Sequence, residues 1–171
     1  MSAGHHADAA FPEQAAPDLF EELVGWRAWT VIKPDTAYPR LRSANAAGQA
    51  LEYAMWPPDR WMVARCPKGH ALEEVPHERC SCGLYSARNL DHLLSMGYAM
   101  FADDGVNVIG EVGNAGKVIP GSQGFKAQRS RVIKLYVPLA QAELGEKLGE
   151  VYNVPWELAP WWATDPRLYG R

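Results

Sequence analysis

All three cysteines of this 171-residue chain, Cys66, Cys80 and Cys82, fall in one short window that also holds His70 and His77. Thiolate with imidazole is the common donor mixture of structural zinc, which takes four ligands in a tetrahedron. Cys66, His70, Cys80 and Cys82 supply three sulfurs and one nitrogen, and His77, close to Cys80, is the alternative nitrogen. A Cys and a His four apart converge if the chain folds back between them, and Pro67 and Gly69 permit such a turn. Gly83 permits another after the second pair, where backbone N–H groups would point at sulfur and φ can be positive. Four protein donors leave no position for a water or substrate, so the expected ion is structural Zn2+ with no catalytic residue attached to it.

Competing readings of the window are weaker. Cysteine is often a small buried hydrophobe, but Lys68, Glu73, Glu74, Glu78 and Arg79 make this segment polar. Cys80 and Cys82 stand too close for an unstrained disulfide, and an iron–sulfur cluster is a minor competitor. The zinc deaminase signature is absent, because Cys80-Ser-Cys82 replaces its Cys-x-x-Cys.

A second group with chemical potential lies further on. From Val112 to Ala142 there is no acidic residue, while Lys117, Lys126, Arg129, Arg131 and Lys134 all occur. Such a face suits phosphate or a carboxylate-bearing partner. In an unbroken strand Arg129 and Arg131 would share a face with Ile133, Leu135 and Val137, so either the strand bends or bulges near Ser130 or two arginines enter a concave site. Glu111, with Lys126, Arg129 and Arg131, then forms a candidate ligand-binding set. An ion pair is the plain account of Glu111 and a general base the bolder one. Trp161-Trp162 is a candidate partner-binding anchor or a clamped tail. Gly110 to Val118 imitates a phosphate loop but has the wrong spacing and lacks the Ser or Thr after Lys117, which points to a hairpin turn at Gly113 to Gly116.

The elements that must position these groups follow from local pattern. Residues 1–16 are Ala-rich and aperiodic and are expected to be a mobile tail, with a single α+β domain over 17–171 and the zinc loop at 65–84. A short helix is expected from Pro17 to Gly25. Strands are expected at Trp26–Ile32, Arg40–Ser43 and Trp61–Arg65. Ser86 can cap a helix from Ala87 to Met96, stopped by Gly97. Val106–Val112 opens a β meander that turns at Pro120 to Gly124 and continues from Phe125 to Val137. Ala140, Leu144, Leu148 and Val151 predict an amphipathic helix weakened by Gly145 and Gly149, before an irregular aromatic end. The fold expected is a mostly antiparallel sheet or partly open barrel, two to three flanking helices and a zinc-bound loop.

Composition narrows the function classes. A formal charge of -3 argues against a strongly basic nucleic-acid binder, though a local patch can still serve. Seven tryptophans imply an aromatic-lined core or groove. No apolar run approaches the roughly 18 residues of a membrane span, and the N-terminus has neither a basic nor an apolar leader region, so the expected location is the cytoplasm, where thiols stay reduced.

Gly25-Trp26-Arg27-Ala28-Trp29, Cys80-Ser-Cys82-Gly83-Leu84-Tyr85, Gly110-Glu111-Val112 with Gly116-Lys117-Val118, and Gly124-Phe125-Lys126-Ala127 together resemble an uncharacterised group of small actinobacterial and phage-associated proteins. The resemblance implies a metal-binding protein of unknown activity and supplies no catalytic residue. In that group the histidine stands a few residues before an Ala-Pro segment. Here Glu73 and Glu74 lie there, so the choice between His70 and His77 stays open. The functional expectation is a zinc-stabilised binding or adaptor module for a protein or nucleic-acid partner. The alternative is an enzyme acting on a small anionic ligand through Glu111 and the Arg129/Arg131 pair.

Overall fold

The computed structural model describes residues 22–44, 54–58, 60–96, 101–102 and 105–159. Trp161 and Trp162, the expected tail and residues 17–21 of the first expected helix lie outside the described residues. The last part of that helix is instead strand. β1 runs Leu23–Ile32 and pairs with the later strand β6 from Leu23↔Asn114 to Val31↔Val106. The β-branched and aromatic residues after Gly25 extend backwards once a partner strand is present, which a local pattern cannot show.

The remaining strands are β2 (Arg40–Ser43), β3 (Met62–Val63), β4 (Leu84–Ala87), β5 (Phe101–Ala102), β6 (Gly105–Pro120), β7 (Gly124–Val137) and β8 (Trp156–Leu158). Two α-helices occur among the described residues, α1 (Leu90–Ser95) and α2 (Ala142–Tyr152). The class is mixed α+β, with strands predominating. In the sheet β1 pairs with β6 along most of its length and meets β4 only at Trp26↔Ala87, while β4 and β6 both pair with β7. A single bridge on one side makes a curled sheet, not a closed barrel. All these pairings are antiparallel, and only β8 joins β7 in parallel.

Three local expectations are corrected. Ser86 lies within β4, and Asn89 caps α1 instead, its side chain accepting from the His92 N–H at 2.9 Å. Gly113 to Gly116 is not a hairpin turn, because β6 continues through it with an irregularity between Ala115 and Val118 where Gly116 has φ of 70°. The aromatic end at Trp156 is ordered as β8, opposite Leu135.

Strand β7 shows why simple alternation failed. Its pairing with β6 shifts twice, near Gln128 and near Ile133. Ala127, Ser130, Val132, Leu135 and Val137 are therefore the inward residues, and Arg129 and Arg131 face solvent. The bulge reading of the two arginines holds.

The sheet packs on both sides. Trp29 is fully buried against Trp56, edge to face with centroids 5.3 Å apart, while Trp26 stacks on Tyr136 at 5.4 Å. The larger core gathers Trp29, Leu41, Trp56, Leu135 and, from α2, Leu144, Leu148 and Tyr152. Cys80 and Cys82 form part of its wall.

Candidate metal centre

The window between β3 and β4 folds as the turn chemistry predicts. The Gly69 N–H donates to the Cys66 carbonyl at 3.1 Å, and Gly69 takes φ of 89°. Pro67 thus stands at the second position of a tight turn that returns His70 toward Cys66. Leu72–Glu74 forms one turn of 3-10 helix, with the Glu74 carboxylate accepting from the Ala71 N–H at 3.0 Å. A further turn, from the His77 carbonyl to the Cys80 N–H at 3.1 Å, brings the second cysteine pair back.

These turns bring four donor atoms together. Cys66 Sγ lies 3.2 Å from His70 Nδ1 and 3.7 Å from Cys80 Sγ, and Cys82 Sγ lies 3.9 Å from His70 Nδ1. All four atoms fall within 4.8 Å of one another. Ideal tetrahedral zinc has S···S edges of about 3.8 Å and S···N edges of about 3.6 Å, calculated from its usual bond lengths. The cluster is close enough to hold a metal ion.

His77 is not the nitrogen in this cluster. Its ring stacks on His70 at 4.4 Å with planes 7° apart, and its Nδ1 accepts from the Arg79 N–H at 3.3 Å. Its own backbone N–H donates to Cys82 Sγ at 3.4 Å. His77 therefore supports the cluster from outside, stacking on the ring of one donor and giving an N–H to the sulfur of another.

Electrostatics separate the thiols. At Cys66 desolvation opposes ionisation, but N–H groups of His70 and Lys68, with the Cys80 and His70 side chains, outweigh it and bring the thiol from 9.0 to about 6. At Cys82 burial pushes the thiol up, the His77 N–H opposes this, and the neighbouring Cys80 and Cys66 add to the rise. Cys66 and His70 are partly exposed, whereas Cys80 and Cys82 are buried. The inner pair thus backs onto apolar core, as the core-thiol reading has it, while its sulfurs lie in a cluster close enough to hold a metal ion.

Strand β7 grips this loop. Lys126 Nζ donates to the carbonyls of His77 and Cys80, each at 2.8 Å, and Gln128 Nε2 donates to the Leu72 carbonyl at 3.0 Å. Gly83, at φ of 124°, leaves room for the Lys126 stem, since a Cβ there would meet that stem and come 2.9 Å from Pro76 Cβ. Lys126, read from sequence as a ligand-binding cation, is committed to the loop.

The other sequence candidates do not assemble. The Tyr136 hydroxyl donates to Glu111 at 2.7 Å, and Arg131 pairs with Glu22 at 2.8 Å. Burial first, and then the Glu111 carboxylate, push the Tyr136 phenol above its usual range. No ion pair joins Glu111 to Arg129 or Arg131 among the described residues, and Glu111 lines neither the cavity of about 970 Å³ beside β4 nor the one of about 460 Å³ beside Trp61. The enzyme alternative loses its constellation. The two arginines instead flank Trp61, with guanidinium carbons 5.2 and 5.6 Å from the ring centroid. Sequence reasoning placed Trp61 only as the first residue of an expected strand, Trp61–Arg65, and missed its contact with the two arginines.

In comparisons with known proteins, no family model matches the chain, and neither a curated protein nor a solved structure matches it. No helix of the described residues is long and apolar enough to cross a membrane.

Proposed function

We propose that this protein is a zinc-stabilised binding module, working in a reducing compartment such as the cytoplasm and engaging its partner through the solvent-facing part of β7. The observation that carries the zinc reading is the gathering of three sulfurs and one imidazole nitrogen within 4.8 Å. Soft thiolates with one imidazole favour zinc over hard cations, and four protein donors argue for a structural ion. N–H···S bonds to Cys82 and Cys66 support thiolate charge without a further cation. The binding role draws its support from Arg129 and Arg131, which face solvent beside an aromatic ring. The resemblance to the actinobacterial and phage-associated group agrees with a metal-binding role and adds no activity.

Elemental analysis of the purified chain tests the first half. One zinc per chain is expected, along with strong visible absorption after exchange to cobalt, as tetrahedral thiolate cobalt gives. A brown protein containing iron and sulfide, or a chain that takes up neither zinc nor cobalt when reduced, sinks the reading.

A further inference from the structure

The β3–β7 pairing sets Met62 opposite Ser130 and Val63 opposite Arg129, which brings Trp61 alongside Arg131. Both guanidinium groups lie over the Trp61 ring, at 5.2 and 5.6 Å. A cation–π contact uses the face of a guanidinium and leaves its N–H edge free to donate. Trp61, Arg60 and Arg131 also line a cavity of about 460 Å³, a size ordinary for a small-ligand pocket. Glu22 pairs with Arg131, but Arg60 and Arg129 have no carboxylate partner among the described residues. The two register shifts that flank Ser130 are what turn these arginines outward.

We propose that Trp61, Arg60, Arg129 and Arg131 form a binding patch for single-stranded nucleic acid, a base stacking on the tryptophan–arginine tier and adjacent phosphates meeting the guanidinium edges. This rests on the binding-module reading and names its partner class. An acidic peptide needs cations but no ring between them, whereas a base has a π-face and a phosphate beside it. A duplex hides its base faces and is held chiefly by broad positive charge. A chain of formal charge -3 offers no such field, so a stacking platform carries the preference for unpaired strands.

Fluorescence anisotropy of the zinc-loaded full chain tests this with labelled oligothymidylate and oligouridylate of about twelve nucleotides at about 50 mM salt. A duplex of equal length, heparin and a phosphopeptide serve as competitors. The single strands should bind about tenfold or more tightly than the duplex, with the two arms deciding between DNA and RNA. Trp61→Ala should weaken binding about tenfold or more and Trp61→Phe should restore most of it. Arg129→Ala should weaken binding and reduce the salt slope by about one. Zinc content and far-UV signal identify any variant that fails to fold.

No binding by wild type, a Trp61→Ala effect below twofold, or equal or tighter binding of duplex, heparin or phosphopeptide overturns the proposal. Failure to bind with zinc in place defeats this inference alone. A chain that binds oligonucleotide yet takes up neither zinc nor cobalt when reduced defeats the zinc reading alone.

Discussion

Lys126 shows how one side chain can order a candidate metal site without belonging to its donor set. Its ammonium bridges the His77 and Cys80 carbonyls, at 2.8 Å each, and so ties two turns of the loop to β7. Lys126→Met keeps the stem that packs over Gly83 and removes both donors. Hydrogen bonds to a charged group contribute roughly 1.5–3 kcal/mol each, less when solvent competes, so the variant should lose about 2–3 kcal/mol. Chelator-driven zinc loss, followed with a chromogenic chelator, should quicken while the far-UV spectrum stays unchanged. Cys66 allows a second prediction at this scale. With a pKa of about 6 in the metal-free protein, Cys66 is mostly thiolate at neutral pH, whereas burial raises Cys82. Iodoacetamide at neutral pH should therefore label Cys66 first, read by peptide mass mapping, and the labelling rate at Cys66 should fall as pH drops through about 6. The three sulfurs and the two candidate nitrogens, His70 and His77, were readable from spacing because such a window is local in sequence, whereas the choice between the histidines needed the fold. Lys126 was not, because its acceptors are backbone carbonyls that only strand register brings near.

At the scale of elements, the helix period placed α2 correctly, but the two glycines within it were read for their cost alone. Both face Trp156: a Cβ on Gly145 would stand 2.8 Å from Trp156 Cδ2, and one on Gly149 would stand 2.6 Å from Trp156 Cδ1. Absent side chains let the indole close on the helix, and β8 then runs parallel to β7. Gly145→Ala should gain up to about 1 kcal/mol of helix propensity. Overpacking costs about 1–3 kcal/mol, and with the indole this close the upper part of that range applies, so the net effect should be a loss of up to about 2 kcal/mol. In a Trp156→Ala background the sign should reverse, because only the propensity gain remains. Thermal unfolding of the four proteins of this cycle checks it, and additive effects would show that Trp156 is not the obstacle. The same element scale explains what pattern could not give. Two register shifts in β7 each switch the inward face, so no single period of two describes that strand.

Across the whole molecule, the stability of the sheet and the order of the metal loop rest on different groups. A chain of 171 residues buries about 70% of its unfolded surface, enough to fold without a metal. The weakest join in the curled sheet, the single β1–β4 bridge, is backed by a buried polar node at Asn114. Its Nδ2 donates to the Leu23 carbonyl at 2.9 Å and to Ser86 Oγ at 3.0 Å, and its Oδ1 accepts from Ser130 Oγ at 2.7 Å. Strands β1, β4, β6 and β7 thus meet at one amide. Asn114→Ala strands buried polar partners and should lower global stability by about 2–4 kcal/mol, while zinc stoichiometry stays at one in the fraction that folds. Cys82→Ser should do the opposite, releasing zinc and exposing the segment from Arg65 to Leu84 to protease while most of the β signal survives. Urea unfolding by far-UV circular dichroism, run beside zinc release and limited proteolysis, reads both quantities on each variant. If Cys82→Ser instead abolished the β signal, the ion would be a folding requirement of the entire sheet, and the division of labour between the Asn114 node and the metal loop would be wrong.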